Sequence, residues 1–587
     1  MIKKLTYIFL LVAVFNTAMF AQTNVTTTLH NTETSPVPME QVFVHLNSSL
    51  FFVGEYVYYK VYVNNLKTEK LSKVSKIAYF ELINENKKSV LKQKIQLVSG
   101  TGQGDFFIPT TIPSGNYKVV SYTLNMLSKA SDNYFQQDIS IINPYRGNQS
   151  AVTKNKASEE DKKPKRFIGA SSNANNELLS LKTDKEKYSK RSPVSIQVKQ
   201  LGNEVISGDY SISVRKNDTV SYAPMYSATN FKSIYSNINY DGDATQQQLI
   251  LPELRGELIT GKIVANSDSK KLDNQRIALS IPEENYIFKI SNVDPDGNFY
   301  FNINKPYLNN TASLQVIGDT NAVFDIQVDK QTPISFENLE FNKFYITPEM
   351  EKMIVKRSVY NQVENGYYRV KPDTIKTIPA DTSIYKKRST VYNLDEYTRF
   401  PTMRETMVEI VNDAWITKNN GKNVFFVRNK ENSLPTSQPA LVLVDGFFVQ
   451  DHEALVNFNS NKVESISIVQ DKYYYGSQTF QGVMLVETIE GNFYETLSKD
   501  YIKEIDIQPA QRKKQYFKQV YGNGTDGASH IPDYRRQLLW LPELKMDKNT
   551  KELTLYTSDI PGTFEVTLQG FTEQGKPVSV KETFIVE

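Results

Sequence analysis

"QVFVHLNSSLFFVGEYVYYKVYVNN", residues 41–65, carries two runs of aromatic and β-branched residues divided by Val53-Gly54-Glu55. Such residues fit a pleated, half-buried surface, and a Gly-centred break between two runs marks a turn. The stretch therefore predicts a strand, a turn, and a second strand from Tyr56 to Val63. Further on, "GDFFIPTTIPSGNYKVVSYTLNM" predicts two more strands around Pro113-Ser114-Gly115, and "FQQDISIINP" closes the unit. Short strands at this spacing point to a β-sandwich over 41–145. The chain has 35 Tyr and 31 Phe in 587 residues, and the same runs recur along it. The expected class is mainly β.

The first unit resembles the macroglobulin-type (Ig-like) sandwich, related to the second domain of alpha-2-macroglobulins and common in exported Bacteroidota proteins. The residues that carry the resemblance are Gly54-Glu55, Pro109 to Tyr117, and Tyr122-Thr123. Val53 departs from it, since the family usually has Pro there. Residues 179–250 look like a second, weaker unit of this type: Tyr188 followed by Val194, Ile196 and Val198 echoes Tyr56 to Val63, until the pattern breaks at "NYDGDATQQQ". Residues 531–587 resemble a further set of macroglobulin-type strands. Residues 251–335 resemble the carboxypeptidase regulatory-like sandwich. Their "DPDGN" is not a calcium loop, because Gly297 stands fourth from Asp294 where an EF-hand needs it sixth; Asp296-Gly297 reads as a hairpin turn.

"ALVLVDGFFVQD", residues 440–451, places Asp445-Gly446 between two apolar runs. Both positions of such a turn take positive φ, which these residues tolerate best. With "VESISIVQDKYYYGSQTFQGVMLVET", residues 463–488, the stretch resembles the plug domain of TonB-dependent outer-membrane receptors. Phe400 to Glu405, Pro439 to Gly446 and Tyr474 to Gly482 match, in order and spacing, Bacteroidota chains that join macroglobulin-type, regulatory-like and plug-like units. The unit 395–495 is accordingly expected to be a small mixed α/β domain. It carries a helix over Met403 to Val411 and a hairpin whose strands pair with the segments around Ile466 and Leu485. A receptor barrel needs roughly 22 strands of about ten residues. Only 92 residues follow position 495, so the unit is expected to stand without a barrel of its own.

The remaining segments are connectors. "MIKKLTYIFLLVAVFNTAMFAQ" reads as a secretory leader over 1–21, cut before Gln22. Residues 146–178 are polar and mixed in charge, and read as a disordered linker. Its "KKPKR" lies beside Glu159, Glu160 and Asp161, so it is a solvated stretch, not a basic patch. "TPEMEKMIVKRSVYNQVENG", residues 347–366, reads as a connecting helix with Thr347 as N-cap, Pro348 in the first turn and an apolar stripe of Met350, Ile354 and Val355.

Chemistry is sparse. There is no cysteine, which excludes disulfides, thiolate metal sites, a lipid-bearing cysteine and the thioester of covalent protease traps. The four histidines, His30, His45, His452 and His530, show no metal-ligand spacing. Neither a nucleophile elbow nor a phosphate loop is present. No catalytic, cofactor or metal residue is expected. The net charge of +3 includes Lys3 and Lys4 of the leader and gives no case for nucleic acid. No run after the leader is long enough for a membrane helix. Trp540 reads as a core or strand-edge residue, not a sugar platform. The expected function is a non-enzymatic scaffold or adaptor of the cell envelope, exported to the periplasm or outer membrane, not a lipoprotein, with a periplasmic or outer-membrane protein partner. Turn and docking candidates are Asp445, Gly446, Tyr473, Tyr474, Tyr475 and Gly476. The alternatives are an extracellular glycan- or peptide-binding protein and a non-covalent protease-inhibitor-like protein.

Overall fold

A computed structural model of the protein describes residues 38–587 apart from 129–131, 154–177, 203–206, 219–223, 237–249, 267–271, 273, 332–333, 378–387, 431–437, 476–477, 498, 523–529 and 547. The leader, most of the linker, the "NYDGDATQQQ" break and Gly476 lie outside the described residues. The class is mainly β, with most strands arranged in sandwiches.

The first sandwich has a three-stranded sheet with Tyr56–Asn65 in the middle, flanked by Glu40–Leu46 and Thr101–Phe107. Its second sheet runs Leu50–Phe52, Phe135–Ile142, Gly115–Tyr122, Ile77–Asn84, Ser89–Gln96. Gly54, at φ 85°, makes the turn between the two runs of residues 41–65. Every residue of Glu40–Leu46 is buried, on both faces. A half-exposed sandwich strand would alternate. Here the outer face is covered too: Phe43 and Tyr62 pack on Phe571 from near the C-terminus.

The ranges 179–250 and 531–587, read from sequence as separate units, supply strands to one sandwich. Its three-stranded sheet places Pro193–Gln200 between Leu179–Thr183 and Thr550–Tyr556, with Val194 opposite Leu555. Its five-stranded sheet sets Gly208–Lys216 between Gly562–Thr572 and Gln537–Lys545, with Ile212 opposite Leu568. Alone, 179–216 offers too few strands to cover its own apolar faces. The C-terminal strands bury Val194, Ile196, Ile212 and Val214 completely.

The intervening chain repeats this device. An inner sandwich pairs the sheet Asn298–Ile303, Glu257–Ala265, Phe324–Val328 with the sheet Ile287–Asn292, Arg276–Ile281, Thr311–Val316. Its last strand, Lys503–Asp506, comes from beyond residue 495 and pairs with Thr311–Val316. The mixed α/β unit is therefore an insertion within the inner sandwich. The inner sandwich is in turn inserted within the split one. At the "DPDGN" turn the Asp294 carboxylate accepts from the backbone N–H groups of Asp296 and Asn298, and Gly297 takes φ 91°.

Two connectors differ from expectation. Residues 146–153 are held at one point: Val152 is fully buried, its carbonyl accepts from the Ile346 N–H at 2.7 Å, and Thr153 bridges to Ile346. One apolar residue in a polar run suffices to anchor that end of the segment. The helix spans Glu351–Gly366 behind a 3₁₀ turn at Pro348–Met350, and the Thr347 side chain makes no capping bond. Its buried residues are Arg357, Ser358 and Asn361, whereas Val355 is 58% exposed. Met350 and Ile354 of the apolar stripe pack, partly buried, on the cluster of Leu50, Phe52, Ile142 and Phe344, while Arg357 and Asn361 meet the Glu55 carboxylate of the first sandwich.

Candidate functional site

The mixed unit is built on the sheet Thr390–Asn393, Val463–Tyr475, Gln478–Thr488, Leu441–Val444, Phe447–Phe448. A helix at Met403–Glu409 covers it, opened by a capping box in which Thr402 accepts from the Glu405 N–H and Glu405 accepts from the Thr402 N–H. Asp445 at φ 51° and Gly446 at φ 79° form the tight turn. The Asp445 carboxylate also accepts from the Thr488 N–H at 2.8 Å, the Thr488 hydroxyl at 2.6 Å and the Phe493 N–H at 3.0 Å. It thus fastens the turn to the end of the central strand.

Leu441–Val444 runs parallel to Gln478–Thr488, with Leu443 opposite Leu485. Ile466 does not pair with the hairpin. It lies one strand further out, opposite Val486 and Tyr392. The most continuously buried strand takes the middle of the sheet and separates the two.

Of the expected docking residues, Gly446, Tyr473 and Tyr475 pack against the chain's own inner sandwich. A Cβ on Gly446 would overlap the Cβ of Tyr286 on the inner sandwich. The Tyr475 hydroxyl donates to the Phe288 carbonyl, and the two rings meet edge to face at 5.1 Å. Tyr473 is half-buried beside Tyr475, with ring centroids 5.4 Å apart. Burial pushes both phenols up. Tyr474 points the other way, as strand alternation requires, and is 65% exposed. Leu441, Leu443, Phe448 and Leu485 share one apolar cluster with Ala278 and Phe288. The Phe448 N–H donates to Ser280, and Gln315 donates to the Phe448 carbonyl at 2.8 Å.

A second centre was invisible in sequence. The carboxylate of Glu55, in the first turn, receives Arg357 through Nε and Nη2, both at 2.7 Å. Arg215 donates to it at 3.0 Å and Asn361 at 3.3 Å. Arg357 also donates to Asp218 at 3.0 Å and to the Leu50 carbonyl at 3.0 Å, and Arg536 pairs with Asp218. Burial alone would raise the Glu55 carboxyl, but the guanidiniums of Arg357 and Arg215 override it and hold the group well below the usual carboxylate range. Gly54-Glu55 was visible in the sequence as part of a resemblance only. Its partners lie about 160 and 302 positions away, and no local pattern marks them.

His45 and His452 are structural. His45 is held neutral by burial and by Lys581, its pKa lowered to about 3, and its Nδ1 lies 2.6 Å from the Ser211 hydroxyl. His452 accepts from the Phe425 N–H, and burial lowers its pKa to about 4. Among the described residues no group of His, Cys, Asp and Glu could hold a metal ion, and no helix is long and apolar enough to cross a membrane.

No protein-family model and no curated protein matches the sequence. Solved structures that match include Salmonella alpha-2-macroglobulin reacted with methylamine, at 10% identity over 94% of this chain and 40% of that one, with a TM-score of 0.23. Trypsin-activated alpha-2-macroglobulin from Escherichia coli matches at 9% identity over 94% of this chain and 42% of that one, TM-score 0.23. The native conformation of the E. coli protein matches at 9% identity over 94% and 40%, TM-score 0.23. The chain spans about two fifths of the length of these proteins. Similarity at this TM-score carries no argument about function.

Proposed function

We propose that the protein is a non-enzymatic scaffold of the cell envelope, exported and not lipid-anchored, that presents its mixed α/β unit to a protein partner. In this reading the sandwiches are macroglobulin-type and regulatory-like, and the mixed unit is plug-like. The observation that carries the proposal is the asymmetry of the mixed unit's sheet. The edge strand Phe447–Phe448 and its neighbours are spent on the inner sandwich. The opposite edge, Thr390–Asn393, pairs with Val463–Tyr475 alone among the described residues and exposes Val391. Exposed sheet edges take up an added strand from a partner, with backbone bonds for affinity and side chains for choice. Tyr397, Val408 and Tyr474 add exposed apolar surface on the same unit.

A photo-crosslinking residue at position 391, in the native envelope, tests this. Capture of a discrete protein from 391, and not from the equally exposed Tyr300 of the inner sandwich, is the expected result. Capture from 300 and never from 391 would move the interaction to the sandwiches.

A further inference from the structure

The first sandwich meets the inner sandwich across a polar joint. The apolar core of the inner sandwich contains no residue of the first. With the mixed unit, by contrast, the inner sandwich shares a cluster through Ala278 and Phe288, so those two are held as one body. A cavity of about 620 Å³ opens in the joint, between Tyr79 and Leu127 on one side and Ile259 and Tyr300 on the other. Apolar contact with the first sandwich comes from the flanking chain, at Ile250, Phe336 and Leu339, which supplies a pivot. The remaining ties are polar: the Lys76 N–H donates to the Glu253 carbonyl at 2.9 Å, and Lys92 donates to Gln331 at 2.8 Å. Units joined through a polar, incompletely filled interface move relative to one another.

Three buried carboxylates and two lysines meet at this joint. Lys92, on Ser89–Gln96, pairs with Glu81 at 3.4 Å and lies 4.9 Å from the centre of the Tyr79 ring. Lys94, on the same strand, pairs with Glu257 of the inner sandwich. Tyr307 donates to the other oxygen of Glu257 at 2.6 Å, and Tyr122 donates to Glu81. Glu253 is left without a lysine. It is 2% exposed, and its carboxylate faces the Tyr79 hydroxyl at 3.1 Å and the Leu258 N–H at 3.3 Å, both neutral. Arg255, on the same turn, is exposed, as are Asp329, Lys330 and Asp506 around the cavity.

A buried carboxyl group in such company is held as the acid. Burial is the largest influence on Glu253 and pushes its pKa from 4.5 up to about 7; the Leu258 N–H, Lys94 and Tyr79 oppose this, and Glu257 adds to it. Opening the joint returns the group to water and its pKa toward 4.5. The closed joint thus keeps a proton that the open one gives up. Closure is favoured in full below pH 4.5 and loses ground as pH rises through 7.

We propose that Glu253 is a proton-operated latch: as the acid it holds the first sandwich against the inner sandwich and the mixed unit that travels with it, and as the carboxylate it lets the joint open. The latch acts whatever the mixed unit binds.

A chain without cysteine accepts a pair of spin labels at chosen positions. Val90→Cys on the first sandwich and Val264→Cys on the inner one, 41% and 37% exposed, report the separation of the two in the otherwise native chain by dipolar electron spin resonance. From about pH 5 to about pH 8.5 a single separation should give way to a longer or broader distribution, with its midpoint near 7. Over the whole window from 4.5 to 7 the open-to-closed ratio should rise about 300-fold, tenfold for each step in pKa. Glu253→Gln cannot ionise and should keep the acid-side separation throughout. Tyr79→Phe removes a donor to the carboxylate and should move the midpoint to higher pH. A control pair within the first sandwich, Val90→Cys with Phe107→Cys, should not change. A separation that does not vary with pH overturns the proposal. So does a titration unaltered in folded Glu253→Gln and Tyr79→Phe proteins, or a control pair that shifts in step, which would show the sandwich itself melting.

Discussion

Arg357 grips Glu55 with two parallel hydrogen bonds of 2.7 Å, across 302 positions of sequence, with the arginine side chain 1% exposed. This pair clamps the Glu351–Gly366 helix to the first sandwich, and Arg215 ties the split sandwich to the same carboxylate. Removing one partner of a buried pair strands the other charge, at a cost of about 3–5 kcal/mol. Arg357→Ala should therefore lower the unfolding free energy by that order. Arg357→Lys should recover little, since a single ammonium cannot make the two-pronged contact. Denaturant unfolding measures both. A loss below about 1 kcal/mol would remove the clamp from the account.

Glu253 makes a prediction about pH. It is 2% exposed, and the Tyr79 hydroxyl lies 3.1 Å from each of its oxygens. Burial raises its pKa from 4.5 to about 7. The folded state then binds more protons than the unfolded state between pH 4.5 and 7, so this group's contribution to stability falls as pH rises through that window. The full loss is on the order of 3 kcal/mol. Stability measured at pH 4.5 and pH 8 should differ less, by that order, in Glu253→Gln than in the native protein. An identical difference in both proteins would refute the assignment.

At Gly446 two costs coincide. The backbone sits at φ 79°, and a Cβ would overlap Tyr286. Strain at such a φ costs about 1–3 kcal/mol, and overpacking adds to it. Gly446→Val should speed amide exchange in 441–449 and at the Tyr286 seat, and leave the exchange of 40–142 unchanged. Uniform loss of protection across the chain would show that the units do not unfold separately.

Truncation tests the nested arrangement. A chain ending at residue 536 lacks the strands that cover Val194, Ile196, Ile212 and Val214. Residues 179–216 should then exchange their amides rapidly and become open to proteolysis. Retained protection there would mean that the N-terminal half of the split sandwich folds without its partner strands.

The proposed leader, residues 1–21, predicts processing. N-terminal sequencing of envelope material should begin at or near Gln22. Intact Met1 recovered from the cytoplasm would end the export proposal.

The sequence by itself determined the class and the local geometry. Aromatic and β-branched runs mark strands wherever they fall, Thr402 and Glu405 open a helix, and Asp445-Gly446 makes a turn, because each depends only on neighbours in the chain. Only the tertiary structure decided which strands belong together. The pattern around Val194 says that one face is buried and not that Leu555 buries it, since apolar contact is non-directional and many strands would serve. For the same reason two inserted units read as a row. The Arg357 face of the helix was hidden more deeply. Counting apolar residues selects Met350, Ile354 and Val355, of which the first two pack; it passes over Arg357, because a guanidinium becomes a core residue only once a carboxylate stands opposite, and Glu55 stands there only in the folded chain. The docking tyrosines followed suit: alternation separates Tyr474 from Tyr473 and Tyr475, while the packing of Phe288 decided which side faces the protein's own interior.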